Sequence, residues 1–137
     1  MVDCPTMRVK VNKTLRDRCD PVGMADVLRR FLDGRDVHVF LELVNAHPKQ
    51  GVASMFAFGT AYGMWLGILG ALKVPYTLVA PQAWKRTMMA GMGKEKDASR
   101  VRVVQIWPEL SGKLGAKNKG RADALLISAF GRRELGW

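Results

Sequence analysis

The chain has 137 residues, and its 22 Lys and Arg residues outnumber its 12 Asp and Glu residues, which gives a formal net charge of +10. This length suits one domain with a buried core, and a composition of 48% hydrophobic and 25% charged residues excludes a disordered basic tail. Two cysteines, Cys4 and Cys19, are too few for a disulfide scaffold or a four-cysteine zinc site.

The positive charge is concentrated in the last third of the chain. Residues 81–137 carry 12 basic and 5 acidic side chains, a net charge of +7, whereas residues 37–80 carry only two basic side chains and one acidic one. A basic domain of this kind most often binds a polyanion, because lysine and arginine release counterions from phosphates. The uncharged middle is expected to form the core.

The first third of the chain predicts a strand, a loop, a helix and a second strand. Residues 7–11 alternate apolar and charged side chains, as half-exposed strands do, and residues 12–18 are expected to form a polar, basic loop. Asp20, which a proline follows, predicts the N-cap of a helix over residues 22–32. Residues 37–44 are nearly all apolar and predict a strand that is buried on both faces.

The middle of the chain predicts a helical crossover. A loop at residues 45–51 precedes a helix over residues 53–72, and a short buried strand follows at Tyr76–Val79. The order strand, long helix, strand predicts a right-handed connection between two parallel strands. Residues 52–72 also lack charge and are long enough to span a bilayer, so a membrane helix is the alternative. Their glycine stripe suits close packing on a sheet equally well, and we therefore expect no membrane partner.

The last third predicts three helices. One begins at Pro81, the second covers residues 96–107, and the third covers residues 121–130, after a loop rich in glycine and lysine at residues 111–120. Helices that alternate with strands place the chain in the α/β class.

Two acidic residues are candidates for metal-dependent chemistry. Glu42 is the only acid between Asp36 and Glu95, and it lies within the most apolar predicted strand. A buried carboxylate is costly unless it is paired or bound to a metal, although a Glu on an exposed face or paired with an arginine would explain it too. Asp123 lies on the first turn of the last predicted helix, where the helix dipole alone would favour it. Converging carboxylates select Mg²⁺ or Mn²⁺.

Basic and polar residues near these acids are candidates for contacts with DNA phosphates. Each is by default a solvated surface side chain, but their grouping around the candidate acids favours a nucleic-acid site. The candidates are Lys10, Lys13, Arg16, Arg18, His47, Lys49, Gln50, Lys85, Arg86, Lys94, Lys96, Arg100, Lys119 and Arg121.

Several separated motifs resemble one family. The segment FLELVNAHPKQGVASMFAFGTAYGMWLGIL is similar to the second catalytic strand, loop and long helix of RuvC-like Holliday junction resolvases. APQAWKR, GKEKDASR and GRADALLISAFG continue the resemblance in the same order, and VDCPT with VKVNKTLRDRCD resembles the chloroplast branch of plants and algae.

The resemblance implies a ribonuclease-H-like mixed sheet flanked by helices, a homodimer, a plastid location and Mg²⁺-dependent cleavage of four-way DNA junctions. By motif match, Glu42 and Asp123 would be catalytic carboxylates and metal ligands. Lys85 and Lys96 would lie near DNA phosphates.

The chain departs from the family pattern at two ligand positions. The family begins with a strand that carries an Asp, and this chain starts after that strand, since Asp3 does not match it. Asn118 and Lys119 stand where a further His or Asp is usual. We therefore expect residues 1–137 to form a single resolvase-like domain that is incomplete at its N-terminus, with no targeting peptide. The alternative function is a module that binds branched DNA without cutting it.

Overall fold

A computed structural model of the protein describes residues 1–45, 51–115 and 119–137. These residues form small sheets and five α-helices, which confirms the α/β class. The strands are β1 (Thr6–Val11), β2 (Thr14–Cys19), β3 (Val39–Glu42) and β4 (Tyr76–Val79). The helices are α1 (Pro21–Leu32), α2 (Val52–Ala71), α3 (Pro81–Met88), α4 (Ala98–Ile106) and α5 (Lys119–Glu134), and a short 3-10 helix covers Pro108–Leu110.

The chain divides into two compact units. The first consists of Met1–His38 and Val44–Tyr76, and the second of Val39–Leu43 and Thr77–Trp137. The single resolvase-like domain expected over residues 1–137 stays a prediction.

An antiparallel hairpin opens the first unit. β1 and β2 pair along their full lengths, so the loop predicted at residues 12–18 is wrong. Asn12 makes the tight turn with φ 56°, a left-handed conformation that asparagine tolerates better than most residues. Cross-strand pairing overrides the charged composition of β2, and Arg8 faces Asp17 across the strands at 3.5 Å.

Helix α1 begins where the sequence predicts. The Asp20 side chain accepts a hydrogen bond of 3.0 Å from the backbone N–H of Val22, which confirms the predicted cap. Met24 and Leu28 are buried one turn apart, and they give α1 the apolar face of a helix that packs on α2.

Helix α2 has nearly the predicted bounds but exposes most of its surface. Leu69 is its one buried residue, and large side chains such as Phe56 and Phe58 are exposed. Within the described part of the chain, α2 is the one helix whose length and composition would allow it to cross a membrane. Core helices of soluble proteins pass the same test of length and composition, but those are mostly buried, whereas 6% of the apolar window of α2 is buried.

In the second unit, β3 lies beside β4. The backbone N–H of Leu43, just beyond β3, donates to the carbonyl of Val79 at 2.8 Å. The strand predicted at residues 37–44 is shorter in the structure, and β3 is half-buried rather than fully buried. β4 has the predicted bounds, but only its last residue is buried. Within the described residues this sheet has two strands, so each strand has one edge without a neighbouring strand. The direction and hand of the crossover stay predictions.

The core of the second unit joins β4 to three helices. Its buried members are Val79, Trp84, Met88, Val103, Leu114, Ala122, Leu126 and Ile127. Helix α5 begins two residues before the predicted 121–130 segment and runs through Gly131, where the sequence predicts its end. Gly131 is buried against the ring of Phe40, so its lack of a side chain serves close packing of α5 on β3 rather than helix termination. Helix α4 is shorter than the predicted 96–107 segment.

Candidate functional site

Glu42 is bound by a buried tryptophan. The indole Nε1 of Trp84 donates a 2.8 Å hydrogen bond to Oε1 of Glu42, and Trp84 is fully buried whereas Glu42 is half-buried. An indole has only this one hydrogen-bond donor, and a buried indole usually donates to an oxygen acceptor. The contact fixes one oxygen of the carboxylate and leaves most of its acceptor positions for other partners.

Local sequence places both partners of this hydrogen bond. Glu42 is the last residue of β3, so its side chain lies where the strand ends. Pro81 occupies the first turn of α3, where a missing N–H costs nothing. Trp84 and Met88 then fall one turn apart on the buried face of that helix. The backbone carbonyl of Met88 accepts a 2.8 Å hydrogen bond from Nε of Arg102, which ties the end of α3 to α4.

Asp123 has an oxygen that is buried without a partner. Among the described residues, none donates a hydrogen bond to its Oδ1, although this atom is excluded from solvent. The sequence predicts that Asp123 lies in the first turn of α5. Because α5 begins at Lys119, Asp123 lies in the second turn instead. Dipole stabilisation is strongest in the first turn, so it explains this carboxylate less well than expected. An unpaired buried carboxylate oxygen calls for a ligand.

The elements that carry the two acids pack against one another. Helix α5 packs on β3, and Ala122, the neighbour of Asp123, belongs to the same core cluster as Trp84. The two carboxylates supply hard oxygen ligands, and Mg²⁺ is often bound through one or two carboxylates together with water and substrate phosphates. The unpartnered oxygen of Asp123 and the carboxylate of Glu42 are each chemically suited to a magnesium ion. Within the described residues, no group of three or more His, Cys, Asp or Glu side chains is placed to hold a metal ion.

The predicted phosphate-binding residues of the first unit lie on the hairpin. Lys10 is on β1, Lys13 is in the turn and Arg16 is on β2, and all three are exposed. Arg18, at the end of β2, is half-buried and lines a cavity of about 110 Å³ beside Phe56. Arg18 thus has a packing role that the sequence does not indicate.

The predicted phosphate-binding residues of the second unit lie on α3, on α5, on the segment before α4 and, in the case of Arg100, on α4 itself. Lys85 and Arg86 are exposed on α3, Lys94 and Lys96 are exposed before α4, and Lys119 and Arg121 are in the first turn of α5. The ammonium of Lys85 also lies 5.3 Å from the ring centroid of Trp84, within the range of a cation–π contact.

Arg100 is paired with Asp97, the residue that precedes its own helix. Its Nη2 donates to Oδ2 of Asp97 at 2.7 Å, and this hydrogen bond, as the leading cause, holds the pKa of Asp97 below its ordinary value. Nε of Arg100 is buried and has no hydrogen-bond partner among the described residues. A phosphate would therefore compete with Asp97 for this guanidinium.

Four residues of the sequence prediction lie outside the described residues. They are His47, Lys49, Gln50 and Asn118. Their assignments stay predictions.

Sequence reasoning missed two features of the structure. The hydrogen bond from Trp84 to Glu42 joins residues 42 positions apart, and no local pattern marks such a pair. The one available signal is a tryptophan in a helix whose other large positions are mostly polar. The second is the pairing of Cys4 with Cys19, which depends on a hairpin that the charged residues of β2 do not indicate.

No family model and no curated protein matches the chain. The fold described above and the geometry around Glu42 and Asp123 therefore carry the functional argument.

Proposed function

We propose that this protein is a metal-dependent DNA endonuclease that resolves four-way junctions by hydrolysing phosphodiester bonds. The proposal includes a ribonuclease-H-like fold and a cation, Mg²⁺ or Mn²⁺, held by Glu42 and Asp123. The resemblance of the sequence to RuvC-like resolvases supplies the substrate class, and the unpartnered oxygen of Asp123 on a helix that packs on β3 adds support.

The observation that carries the proposal is the buried, unpartnered Oδ1 of Asp123 on a helix that packs against the strand of Glu42. Such atoms are rare in folded proteins, because no hydrogen bond compensates for the free energy that their desolvation costs. A bound cation would satisfy it. Glu42 is already oriented by the indole of Trp84, so one of the two ligands is preorganised.

The chain supplies binding and positioning in this reaction. A Mg²⁺ ion, when bound, lowers the pKa of a coordinated water and neutralises charge on the leaving oxygen. Glu42 and Asp123 would hold the ion, and the hydrogen bond from Trp84 orients the Glu42 carboxylate. The exposed side chains of Lys85 and Lys96 bind phosphates of the DNA backbone, which aligns the strand but reads no sequence.

A synthetic four-way junction tests the proposal. We expect paired nicks near the branch point with Mg²⁺, loss of nicking in Glu42→Gln and Asp123→Asn, and normal nicking in Glu134→Gln. Glu134 is the matched control because it is an exposed acid at the far end of α5. Nicking that survives both Glu42→Gln and Asp123→Asn, or none in the wild type, would contradict the assignment.

A second candidate is a module that binds branched DNA without cutting it. It is favoured by the fact that, in the described part of the chain, only two acids are assigned to the site and no cluster of three ligands exists. Tight, salt-sensitive junction binding that Mg²⁺ does not convert into nicking would establish this candidate in place of the first.

The resemblance also supplies a homodimer and a plastid location as parts of the proposal. Sedimentation of the purified chain tests the dimer, and a monomer at micromolar concentration would contradict it. The exposed apolar surface of α2 gives the membrane alternative its support. Recovery of the protein in the soluble fraction without detergent would exclude that alternative.

A further inference from the structure

The two cysteines of the chain lie side by side at the base of the hairpin. The Sγ atoms of Cys4 and Cys19 are 3.9 Å apart, and both residues are free thiols. Cys19 is the last residue of β2, and Cys4 lies in the segment that leads into β1. Since the chain has only two cysteines, an intramolecular disulfide could join no other pair.

Backbone contacts hold the segments of the two cysteines side by side. The residues that follow them, Pro5 and Asp20, are joined by a 2.9 Å hydrogen bond from the N–H of Asp20 to the carbonyl of Pro5. A Cβ at Gly23 would lie 2.8 Å from both the Pro5 side chain and the Asp20 carboxylate, so the leading segment is packed tightly on the first turn of α1. The cysteines therefore meet on a supported segment.

We propose that Cys4 and Cys19 form a reversible disulfide that closes the base of the β1–β2 hairpin when the surrounding thiol pool becomes oxidised. A disulfide has a sulfur–sulfur distance of about 2.05 Å, so the two sulfurs, which are 3.9 Å apart, need to approach by about 2 Å. The oxidant is a low-molecular-weight disulfide of the glutathione class or the disulfide form of a dithiol oxidoreductase.

The exchange balances in two steps. The thiolate of Cys19 attacks one sulfur of the external disulfide, so the first external thiolate leaves and takes up a proton, and a mixed disulfide forms on Cys19. The thiolate of Cys4 then attacks the Cys19 sulfur, which breaks the mixed disulfide and releases the second external thiol. Two protein thiols are oxidised, one external disulfide is reduced to two thiols, and the two protein protons pass to those thiols.

The environment of Cys4 supports this order of attack. Partial burial, followed by the neighbouring Cys19, raises the pKa of Cys4 to about 11, so Cys4 keeps its proton at neutral pH. Because the thiolate is the nucleophile, this raised pKa makes Cys4 poorly suited to begin the exchange. A mixed disulfide on Cys19 replaces the neighbouring thiol that contributes to the raised pKa of Cys4, which favours the second step.

Closure would stabilise the first unit. The bond links positions 15 residues apart, and it restricts the unfolded chain more than the folded hairpin, whose strands are already paired. The inference is independent of the proposed nuclease function, since it depends only on the two thiols and the backbone that holds them.

Intact mass after equilibration in glutathione buffers tests the inference. Samples are quenched with acid and alkylated, and their intact mass is measured by mass spectrometry. Proteolytic fragments are then identified without reduction. We expect a monomer that loses two hydrogens and gains no alkyl groups, a cross-link between the fragments of Cys4 and Cys19, and a melting temperature about 5 °C or more above that of the reduced protein. Faster closure at higher pH is expected as well, because Cys4 needs to lose its proton.

The variant Cys4→Ser is the matched control, because Cys4 is exposed and its replacement leaves the hairpin pairing in place. We expect this variant to accumulate the glutathione adduct on Cys19 and to show no rise in melting temperature on oxidation. The inference is overturned if the wild type yields only glutathione adducts, only dimers between chains, or no oxidation in a fully oxidised buffer. The wild-type mass decides these outcomes even if a variant fails to fold.

Discussion

The indole of Trp84 donates its one hydrogen bond to the carboxylate of Glu42, at 2.8 Å. This contact joins the core of the second unit to the acid at the end of β3. Helix α3 is therefore part of the candidate site, although it contributes no acidic residue to it.

Replacement of Trp84 by Phe tests this contact. W84F keeps an aromatic ring in the core but removes the donor, so we expect a loss of roughly 1.5–3 kcal/mol in the free energy of unfolding, as for hydrogen bonds to charged groups. Urea denaturation measures it. Trp107→Phe is the control, since Trp107 packs against the same core without bonding to Glu42.

A double-mutant cycle separates the hydrogen bond from the change in ring size. If the two side chains interact, Glu42→Ala, which removes the acceptor, should cost less in the W84F background than it does in the wild type. Additive effects would mean that the indole and the carboxylate do not stabilise one another.

Asp123 should lower the stability of the metal-free protein and should be required for its stabilisation by Mg²⁺. Asp123→Asn replaces a carboxylate whose Oδ1 is buried without a partner, so without metal we expect it to raise the free energy of unfolding by about 1 kcal/mol. With Mg²⁺ at 100 times its dissociation constant, the wild type should gain about 2.7 kcal/mol and the variant almost nothing. Thermal melts with and without Mg²⁺ measure both effects.

The exposed Glu134→Gln in the same helix provides the reference for Asp123→Asn. It should leave both the metal-free stability and the response to Mg²⁺ unchanged. An equal Mg²⁺ response in Asp123→Asn and the wild type would remove Asp123 from the metal site.

Local patterns in the sequence predict much of the fold but little of the site. They place α1 with its Asp20 cap, α2, β4 and α3 within about a residue of the observed bounds, because periodicity, capping and proline act over a few positions. β2 was missed because its stability comes from pairing with β1, and its own residues are mostly charged and polar.

The site itself depends on contacts between distant segments. The partner of Glu42 is 42 residues away, and the unsatisfied oxygen of Asp123 is visible only once the packing around α5 is known. Composition identified both acids as candidates, since each is an acid in an apolar setting. It could not show that one is held by an indole and that the other lacks a partner.

Gly131 and Gly120 should respond to alanine in opposite ways, although both lie in α5. A Cβ at Gly131 would collide with the ring of Phe40, whereas a Cβ at Gly120 would meet open space. We expect Gly131→Ala to lower the free energy of unfolding by about 1–3 kcal/mol through overpacking. Gly120→Ala should raise it by about 0.5–1 kcal/mol through helix propensity.

Chemical denaturation of the two glycine variants measures these changes, and Phe40→Leu in the Gly131→Ala background should recover part of the loss. A neutral Gly131→Ala would show that α5 and β3 are not in close contact at this point.

The ion pair between Asp97 and Arg100 should make part of the stability depend on pH. The hydrogen bond from Arg100 lowers the pKa of Asp97, so the folded state favours the charged carboxylate. The resulting stabilisation is fully present above the ordinary carboxyl pKa and is lost as the pH falls through the lowered value.

Asp97→Asn should therefore be less stable than the wild type at neutral pH and equal to it in strong acid. Stability curves from pH 2 to pH 7 measure the difference, and added salt should reduce it because Asp97 is exposed. A difference that is constant over the whole range would show that charge is not its cause.

Junction binding should weaken with salt, and single hairpin charges should contribute separately to this dependence. Lys13 is exposed in the turn between β1 and β2, so Lys13→Ala should weaken binding uniformly across DNA sequences and reduce the slope of log K against log salt by about 1. Arg133→Ala is the matched control, because Arg133 is exposed at the end of α5 and is not among the predicted phosphate-binding residues. Fluorescence anisotropy with a labelled junction at several salt concentrations measures both slopes. If Arg133→Ala lowers the slope as much as Lys13→Ala does, binding is a property of net charge, and the hairpin is no specific contact surface.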